Sequence, residues 1–169
     1  MRIKIENELN KLLGLPLEDM GRSGNLVWFS FGKPSMVEDR RGKMRKVSEY
    51  ALNVQCSWRI IKEDQILVAS RDIYIPSQRW KGLEEDFNWD VEGMNRCDER
   101  SKEFIRNTKF KIAIEKIQAD NIGGVKLFFT EQYVLEILPD DSTQEEFWRF
   151  FIPGNLNSHF VVAGNGIEM

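Results

Sequence analysis

Residues 50–60 carry the pattern that most constrains the fold of this chain. The even positions are mostly apolar and hold Tyr50, Leu52, Val54, Cys56, Trp58 and Ile60. The odd positions between them include Asn53, Gln55, Ser57 and Arg59. A period of two places successive side chains on opposite faces of a β-strand. The pattern therefore predicts one continuous strand with a buried face and a polar face.

A second strand is expected to pair with the first one. Residues 66–75 follow a polar turn and are rich in aliphatic side chains. Pairing Ile60 with Leu67 keeps the apolar side chains on one face, whereas a slip by one residue would bury Asp72. The favoured register also sets Gln55 opposite Asp72 on the polar face of this predicted 50–75 hairpin.

Apolar spacing predicts two helices and a further series of strands. Ile5 and Leu9 lie on one face of an N-terminal helix, and a mid-chain helix is expected over residues 98–107. Residues 110–163 alternate in short segments separated by turns, which is typical of an antiparallel meander. We therefore predict a single α+β domain over residues 1–169. It would be a mainly antiparallel meander sheet of about six to eight strands with these two helices.

Residues 33–46 carry a strong excess of positive charge. They hold six basic and two acidic side chains, a local charge of 6 − 2 = +4, although the whole chain carries −3. With Pro34 and Gly42 inside it, the segment is expected to be a flexible basic loop or the tip of a long hairpin. Residues 131–146 carry six acidic and no basic side chains. This polarity favours a charged partner or head-to-tail self-association.

No complete catalytic or metal-binding motif is found in the sequence. His159 is the only histidine, so a metal site that needs two histidines is excluded. The chain contains neither a phosphate-binding glycine loop nor a nucleophile elbow. Residues 86–97 begin like a calcium loop, but Val91 and Cys97 stand where the glycine and the bidentate glutamate are needed. We therefore expect neither a metal nor a cofactor.

Cys56 and His159 are the pair that a nucleophilic enzyme would use. Cys56 falls on the apolar side of its strand, where a thiol behaves as a small hydrophobic group. His159 begins a strand, and the sequence shows no partner for it. An inert core thiol and a hydrogen-bonded histidine are favoured, and an enzyme that uses Asp72, Arg59, Cys56 or His159 is the alternative.

The predicted sheet offers a ligand cleft as an alternative to a plain core. Aromatic residues make up 11% of the chain, and a single curved sheet would need them to fill its concave side. A cleft with apolar walls and a few polar groups is the usual small-molecule site. The candidate ligand-binding residues are Asn53, Gln55, Arg59, Asp72, Trp148 and His159. In a two-layer core, Gln55 and Asp72 would face solvent instead.

Three stretches of the chain stand out in composition and order. Residues 52–60 read LNVQCSWRI, residues 70–74 read SRDIY, and residues 159–168 read HFVVAGNGIE. Together they resemble small uncharacterised bacterial proteins over most of residues 50–169, and this resemblance carries over no catalytic residue. In size, acidity and lack of catalytic motifs the chain also resembles bacterial toxin-immunity proteins, which implies a binding role.

These observations favour a non-enzymatic, immunity-like protein-binding module in the bacterial cytoplasm. Small-ligand binding by the polar face of the 50–75 hairpin is the alternative. Nucleic acid is a disfavoured partner because the chain is acidic overall and the basic segment contains no aromatic side chain for base stacking. No membrane partner is expected, because no apolar run approaches the ~18 residues of a membrane span.

Overall fold

The computed structural model describes residues 1–38, 41–155 and 159–168. Its α-helices are α1 (Arg2–Leu9) and α2 (Arg96–Thr108). Its strands are β1 (Leu17–Ser23), β2 (Leu26–Phe31), β3 (Ser35–Glu38), β4 (Met44–Val47), β5 (Tyr50–Val54), β6 (Ser57–Lys62), β7 (Gln65–Ala69), β8 (Ile114–Ala119), β9 (Val125–Phe129), β10 (Tyr133–Leu138), β11 (Glu146–Phe151), β12 (Phe160–Ala163) and β13 (Gly166–Glu168). Short 3₁₀ turns cover Asn10–Leu12, Ser70–Tyr74, Glu84–Asp86 and Thr130–Gln132.

The strands form three antiparallel sheets. A six-stranded sheet has the order β1-β2-β5-β11-β12-β13, and a five-stranded sheet has the order β7-β6-β10-β9-β8. The strands β3 and β4 pair only with each other. The predicted α+β class, with an N-terminal and a mid-chain helix, is confirmed. The described residues contain thirteen strands rather than about six to eight, because the strands are shorter and are divided among three sheets instead of forming one.

The strand predicted over residues 50–60 is split between the two large sheets. β5 ends at Val54 and pairs with β2 and β11, whereas β6 starts at Ser57 and pairs with β7 and β10. The backbone N–H groups of Gln55 and Cys56 both donate to the carbonyl of Phe147, at 2.8 and 3.2 Å. The predicted alternation of burial is confirmed across the crossing, so the buried faces of both strands line one core.

The predicted 50–75 hairpin is wrong in its second half. β7 ends at Ala69, and the chain then enters a 3₁₀ turn over Ser70–Tyr74. The carboxylate of Asp72 accepts a hydrogen bond from the backbone N–H of Ala69 at 3.0 Å, which holds this turn. A short side chain that bonds nearby backbone competes with strand pairing. Asp72 therefore does not lie opposite Gln55.

The register of the remaining hairpin also differs from the prediction. Ile60 pairs with Val68 rather than with Leu67. The register then shifts, so that Ile61 pairs with Ile66 and Leu67 is the extra residue of β7. An extra residue of this kind is a β-bulge, which bends a strand and changes the direction of a side chain.

β1 is a strand whose polar sequence gives no alternation to recognise. It pairs with β2 along its length, and Gly21 lies opposite Trp28. A Cβ atom at Gly21 would approach the indole ring of Trp28 to 2.4 Å, so only glycine lets this ring lie across the strand. Near the start of β1, Leu17 donates its backbone N–H to the carbonyl of Ile112 at 3.1 Å. This contact joins the outer strand of the six-stranded sheet to the segment that precedes β8.

The mid-chain helix α2 is amphipathic and begins at a side-chain cap. The side chain of Asn95 accepts the backbone N–H of Asp98 at 2.8 Å, which satisfies a donor in the first turn. Cys97, Ser101 and Phe104 are buried at helical spacing. α2 packs beside β1, β7 and the 3₁₀ turn at Ser70–Tyr74, whereas α1 packs beside β8.

A buried ion pair joins β1 to α2. The guanidinium of Arg22 binds Asp98 through Nε at 2.6 Å and through Nη2 at 3.0 Å. It also donates to the carbonyls of Gly24 and Trp89, at 3.0 and 3.1 Å. Burial acts to raise the pKa of Asp98, but hydrogen bonds from Arg22 and from the Gly93 N–H outweigh it and lower that pKa below its usual value. The cluster therefore fixes the segment before α2 against the six-stranded sheet.

Candidate functional site

Two of the predicted ligand-binding residues share one neighbour on the outer face of the six-stranded sheet. Asn53 pairs with Arg149 across β5 and β11. The Nη1 atom of Arg149 lies 3.4 Å from Nδ1 of His159, and the His159 ring stacks on Phe151 at 4.9 Å. The guanidinium of Arg149 also forms a twofold hydrogen-bonded ion pair with the carboxylate of Glu146. The structure therefore brings Asn53 and His159 together around an arginine that already has a carboxylate partner.

Trp148 points into the core, away from this outer face. Its side chain is fully buried, and its Nε1–H donates to the carbonyl of Gly123 at 2.7 Å. The indole ring lies 6.1 Å from the ring of Phe160. Neighbouring residues of a strand project to opposite faces, so Trp148 and Arg149 cannot line the same surface. The position of Trp148 is that of a core residue.

Arg59 lies on the other large sheet, in a row of charged side chains. Its Nε atom is 2.5 Å from Glu136, and Nζ of Lys126 is 2.7 Å from the same carboxylate. Burial acts to raise the pKa of Glu136, but the hydrogen bonds from Lys126 and Arg59 outweigh it and lower that pKa. Arg59 therefore neutralises a buried carboxylate within the sheet.

The last two predicted residues lie at separate turns. Gln55 is exposed at the crossing between the sheets, and Asp72 lies in the 3₁₀ turn with Arg96 Nε at 3.7 Å from its carboxylate. The six candidates thus do not form one polar face. The predicted 50–75 hairpin, which was expected to present four of them, is divided between the two large sheets. Their role in ligand binding stays a prediction.

Glu136 is expected to make the stability of the fold depend on pH. A carboxyl group whose pKa is lower in the folded state stabilises that state above its ordinary value of 4.5, and loses this effect as the pH falls through the folded value. We therefore expect the free energy of unfolding to fall less between pH 6 and pH 3 in Glu136→Gln than in the wild type. Urea unfolding at both pH values measures this. Glu115→Gln, which removes a carboxyl group at an exposed position of the same sheet, is the control variant.

Both cysteines are free and buried, and neither is placed to act as a nucleophile. Burial is the main cause that raises the pKa of each thiol to about 12, and the nearby Asp140 adds to this effect at Cys56. The Sγ atom of Cys97 lies 3.9 Å from Oγ of Ser101, one turn along α2. The thiolate is the reactive form of cysteine, and both groups are protonated at neutral pH. Both are therefore poor nucleophiles.

The two thiols are expected to react slowly in the folded protein. At pH 8, we expect labelling by iodoacetamide to be at least about 100-fold slower in the native protein than in urea, because the thiolate fraction falls about tenfold for each unit of pKa. Mass spectrometry of peptides that contain Cys56 and Cys97 measures the rate at each site. Rapid native labelling of Cys56 would show instead that this thiol is activated.

The basic segment forms a two-stranded arm. We use the name basic arm for residues 33–47, of which Asp39 and Arg40 lie outside the described residues. β3 and β4 pair from Ser35 opposite Val47 to Glu38 opposite Met44. Of the two predictions for this segment, the tip of a hairpin therefore describes it better than a flexible loop.

The basic arm presents both charged and apolar side chains to solvent. Met36 and Met44 are 57% and 52% exposed. The basic side chains of the described part of the arm are all exposed, and they are Lys33, Arg41, Lys43, Arg45 and Lys46. Exposed methionines among cations are typical of adaptable binding surfaces. The arm thus combines an electrostatic and an apolar means of contact.

The base of the arm is fixed to the body of the protein. Gly32 adopts φ +81°, and a Cβ atom there would approach the side chain of Glu49 to 2.5 Å, so the entry into the arm requires glycine. At the other strand, Nζ of Lys46 lies 3.4 Å from the buried carboxylate of Glu18. The arm therefore leaves the body through a glycine turn after β2, and this ion pair joins its second strand to β1.

The charge of the arm is opposite to that of the remaining chain. Residues 33–47 carry +4, because Val47 adds no charge to the segment 33–46, and the rest of the chain carries −3 − 4 = −7. A charged patch that differs in sign from its surroundings orients an approaching partner of the other sign. The arm is therefore the surface that best defines a partner class.

Comparisons of the chain with protein-family models, with curated proteins and with solved structures find no match. In the described part of the chain, no cluster of three or more His, Cys, Asp or Glu side chains could hold a metal ion. No helix within those residues has both the length and the apolar character needed to cross a bilayer. The basic arm is therefore a candidate site because of its charge and its exposed side chains, and no similar protein supports this assignment.

Proposed function

We propose that this protein is a non-enzymatic binding module that holds an acidic protein partner through the basic arm. The observation that carries the proposal is an exposed hairpin with five described cations and two exposed methionines, projecting from a body of opposite charge. The cations steer the partner and fix its orientation, and the flexible thioethers of Met36 and Met44 pack on its apolar surface. This is the kind of contact by which an immunity-like protein would hold its target.

Several features support a protein partner in preference to nucleic acid. The described residues of the arm include no aromatic side chain on which a base could stack. The acidic body would repel a long phosphate backbone, whereas a compact acidic surface needs to meet only the arm. Two free, buried cysteines are compatible with a reducing compartment, which supports the bacterial cytoplasm as the place of action.

Affinity capture with matched charge variants tests the proposal. The arm variant combines Lys33→Glu, Lys43→Glu and Arg45→Glu. The control variant combines Lys4→Glu, Lys81→Glu and Lys111→Glu, which make the same change in net charge at exposed positions outside the arm. We expect the wild type and the control variant to capture the same partner. Once that partner is purified, we expect the arm variant to bind it with at least about tenfold lower affinity than the wild type. Retention should weaken as salt rises.

Two results would contradict the proposal. One is a partner that the arm variant binds as tightly as the wild type does. The other is the absence of any reproducible partner at low and moderate salt. Fluorescence anisotropy with duplex DNA completes the test. Tight binding at physiological salt that is lost only in the arm variant would assign the arm to nucleic acid.

A further inference from the structure

A groove lies between the edge strand β7 and the helix α2, in a part of the molecule that the basic arm does not include. Its volume is about 310 Å³. Leu67 of β7 and Phe104 of α2 form apolar parts of its wall, together with Tyr133. The rings of Phe104 and Tyr133 meet edge to face at 5.7 Å, which gives this wall a fixed shape.

β7 is the outermost strand of the five-stranded sheet and pairs only with β6. The opposite edge of β7 forms no strand pairing among the described residues. Its sequence, Gln-Ile-Leu-Val-Ala, has neither the charged side chains nor the proline that normally protect such an edge. An open edge of uncharged residues is a ready template for a further strand. The extra residue of the strand, Leu67, directs its side chain toward the groove.

The charged side chains that line the groove are mostly basic. Lys62, Arg96 and Arg100 line it together with a single carboxylate, Glu103. Glu103 already binds Arg100 at 3.1 Å. Nζ of Lys62 lies 4.3 Å above the ring of Tyr133 and donates to its hydroxyl at 3.2 Å, so the strongest described contact of this cation is with a neutral group. The lining therefore complements an acidic ligand.

We propose that this groove binds an extended, acidic peptide segment of a partner protein, which adds to β7 as another antiparallel or parallel strand. In strand addition the main-chain hydrogen bonds supply affinity, and alternate side chains enter neighbouring pockets. One apolar side chain of the peptide packs on Leu67, Phe104 and Tyr133. Carboxylates two residues before and after it, on the same face of the peptide strand, reach Lys62 and Arg100. The groove belongs to the five-stranded sheet and the arm connects strands of the other, so this site is independent of the function proposed for the arm.

A titration followed by ¹⁵N NMR of the full chain tests the proposal with defined probes. The first probe is the peptide Thr-Glu-Thr-Val-Thr-Glu-Thr, blocked at both ends, in which the valine and both glutamates share one face of an extended strand. The second replaces each glutamate with lysine, and the third keeps the glutamates but carries an N-methyl group on every peptide bond. We expect saturable shifts at Ile66, Leu67 and Val68 with the first probe, and binding at least about tenfold weaker with the other two. The N-methylated probe has no peptide N–H donor on either edge and keeps the charge.

Two protein variants separate this groove from the arm. Lys62→Gln with Arg100→Gln is expected to weaken the first probe about tenfold, whereas the arm variant is expected to keep the shifts in β7. The proposal is overturned if the shifts lie only in the arm, if the N-methylated probe binds equally well, or if no saturable shift appears up to about 5 mM peptide, a range that covers very weak binding. The peptide comparisons use the wild-type chain, so they decide the question even if a variant folds poorly.

Discussion

Replacing Trp148 with alanine is expected to lower the free energy of unfolding by about 3–5 kcal/mol, the usual cost of deleting a large buried aromatic side chain. The indole ring is fully buried between the two large sheets and donates a 2.7 Å hydrogen bond to the carbonyl of Gly123. The alanine variant would lose this packing and leave the carbonyl without its donor. Urea unfolding monitored by circular dichroism measures the change.

Two further variants serve as comparisons for the Trp148→Ala measurement. Trp148→Phe keeps most of the ring but removes the Nε1–H donor, so it is expected to cost less than the alanine variant. Trp80→Ala removes an aromatic side chain from a partly exposed position and is expected to cost about 1 kcal/mol or less. A Trp148→Ala protein as stable as the wild type would contradict the core assignment. It would return Trp148 to the candidate ligand-binding residues.

Replacing Asp98 with alanine is expected to destabilise the fold by about 3–5 kcal/mol, because removing one partner of a buried ion pair leaves the other charge buried and uncompensated. Both side chains of the pair are at most 10% exposed. Arg22 would keep its hydrogen bonds to three backbone carbonyls and its contact with the exposed Asp90, but it would lose its buried carboxylate. Thermal and urea unfolding at pH 7 measure the effect.

A second carboxylate beside Arg22 provides a matched control for the Asp98 variant. Asp90 lies 3.6 Å from Arg22 but is 61% exposed, so Asp90→Ala should cost no more than about 1 kcal/mol. The double variant Arg22→Met, Asp98→Leu removes both charges and should recover much of the loss. Equal stability of the Asp98 and Asp90 variants would show that the buried pair does not hold the fold.

Local patterns in the sequence predicted the elements and much of the core. Leu52, Val54, Trp58 and Ile60 alternate in the sequence and are all buried, because the side-chain period of a strand is a local property. The mid-chain helix likewise followed from its apolar spacing. These features depend only on neighbours along the chain, so the sequence alone contains them.

The division of the sheet depends on contacts that no local pattern records. Gln55 and Cys56 turn the chain from one sheet to the other through hydrogen bonds to Phe147, which is distant in sequence. Nothing in an alternating segment marks the residue at which it changes sheets. β1 was missed for a related reason, since its pairing with β2 requires Gly21 to accept the Trp28 ring, and a glycine in a polar stretch normally indicates a turn.

The candidate binding surfaces differ in how far the sequence could predict them. The excess of basic residues in the arm is visible in composition, although its two exposed methionines became meaningful only with the pairing of β3 and β4. The meeting of Asn53 and His159 at Arg149 required the neighbouring strands to be known. The groove beside β7 combines residues from three strands and one helix, and it gave no signal in the sequence.

Hydrogen–deuterium exchange of the protein alone and bound to its purified partner tests the central claim most directly. A two-stranded hairpin is only marginally stable by itself, so the amides of β3 and β4 should exchange rapidly in the free protein. Binding through the basic arm predicts strong slowing of exchange at residues 35–38 and 44–47. The strands β12 and β13, at one end of the six-stranded sheet, should be unaffected. Unchanged exchange in the arm, with slowing at another surface, would contradict the claim.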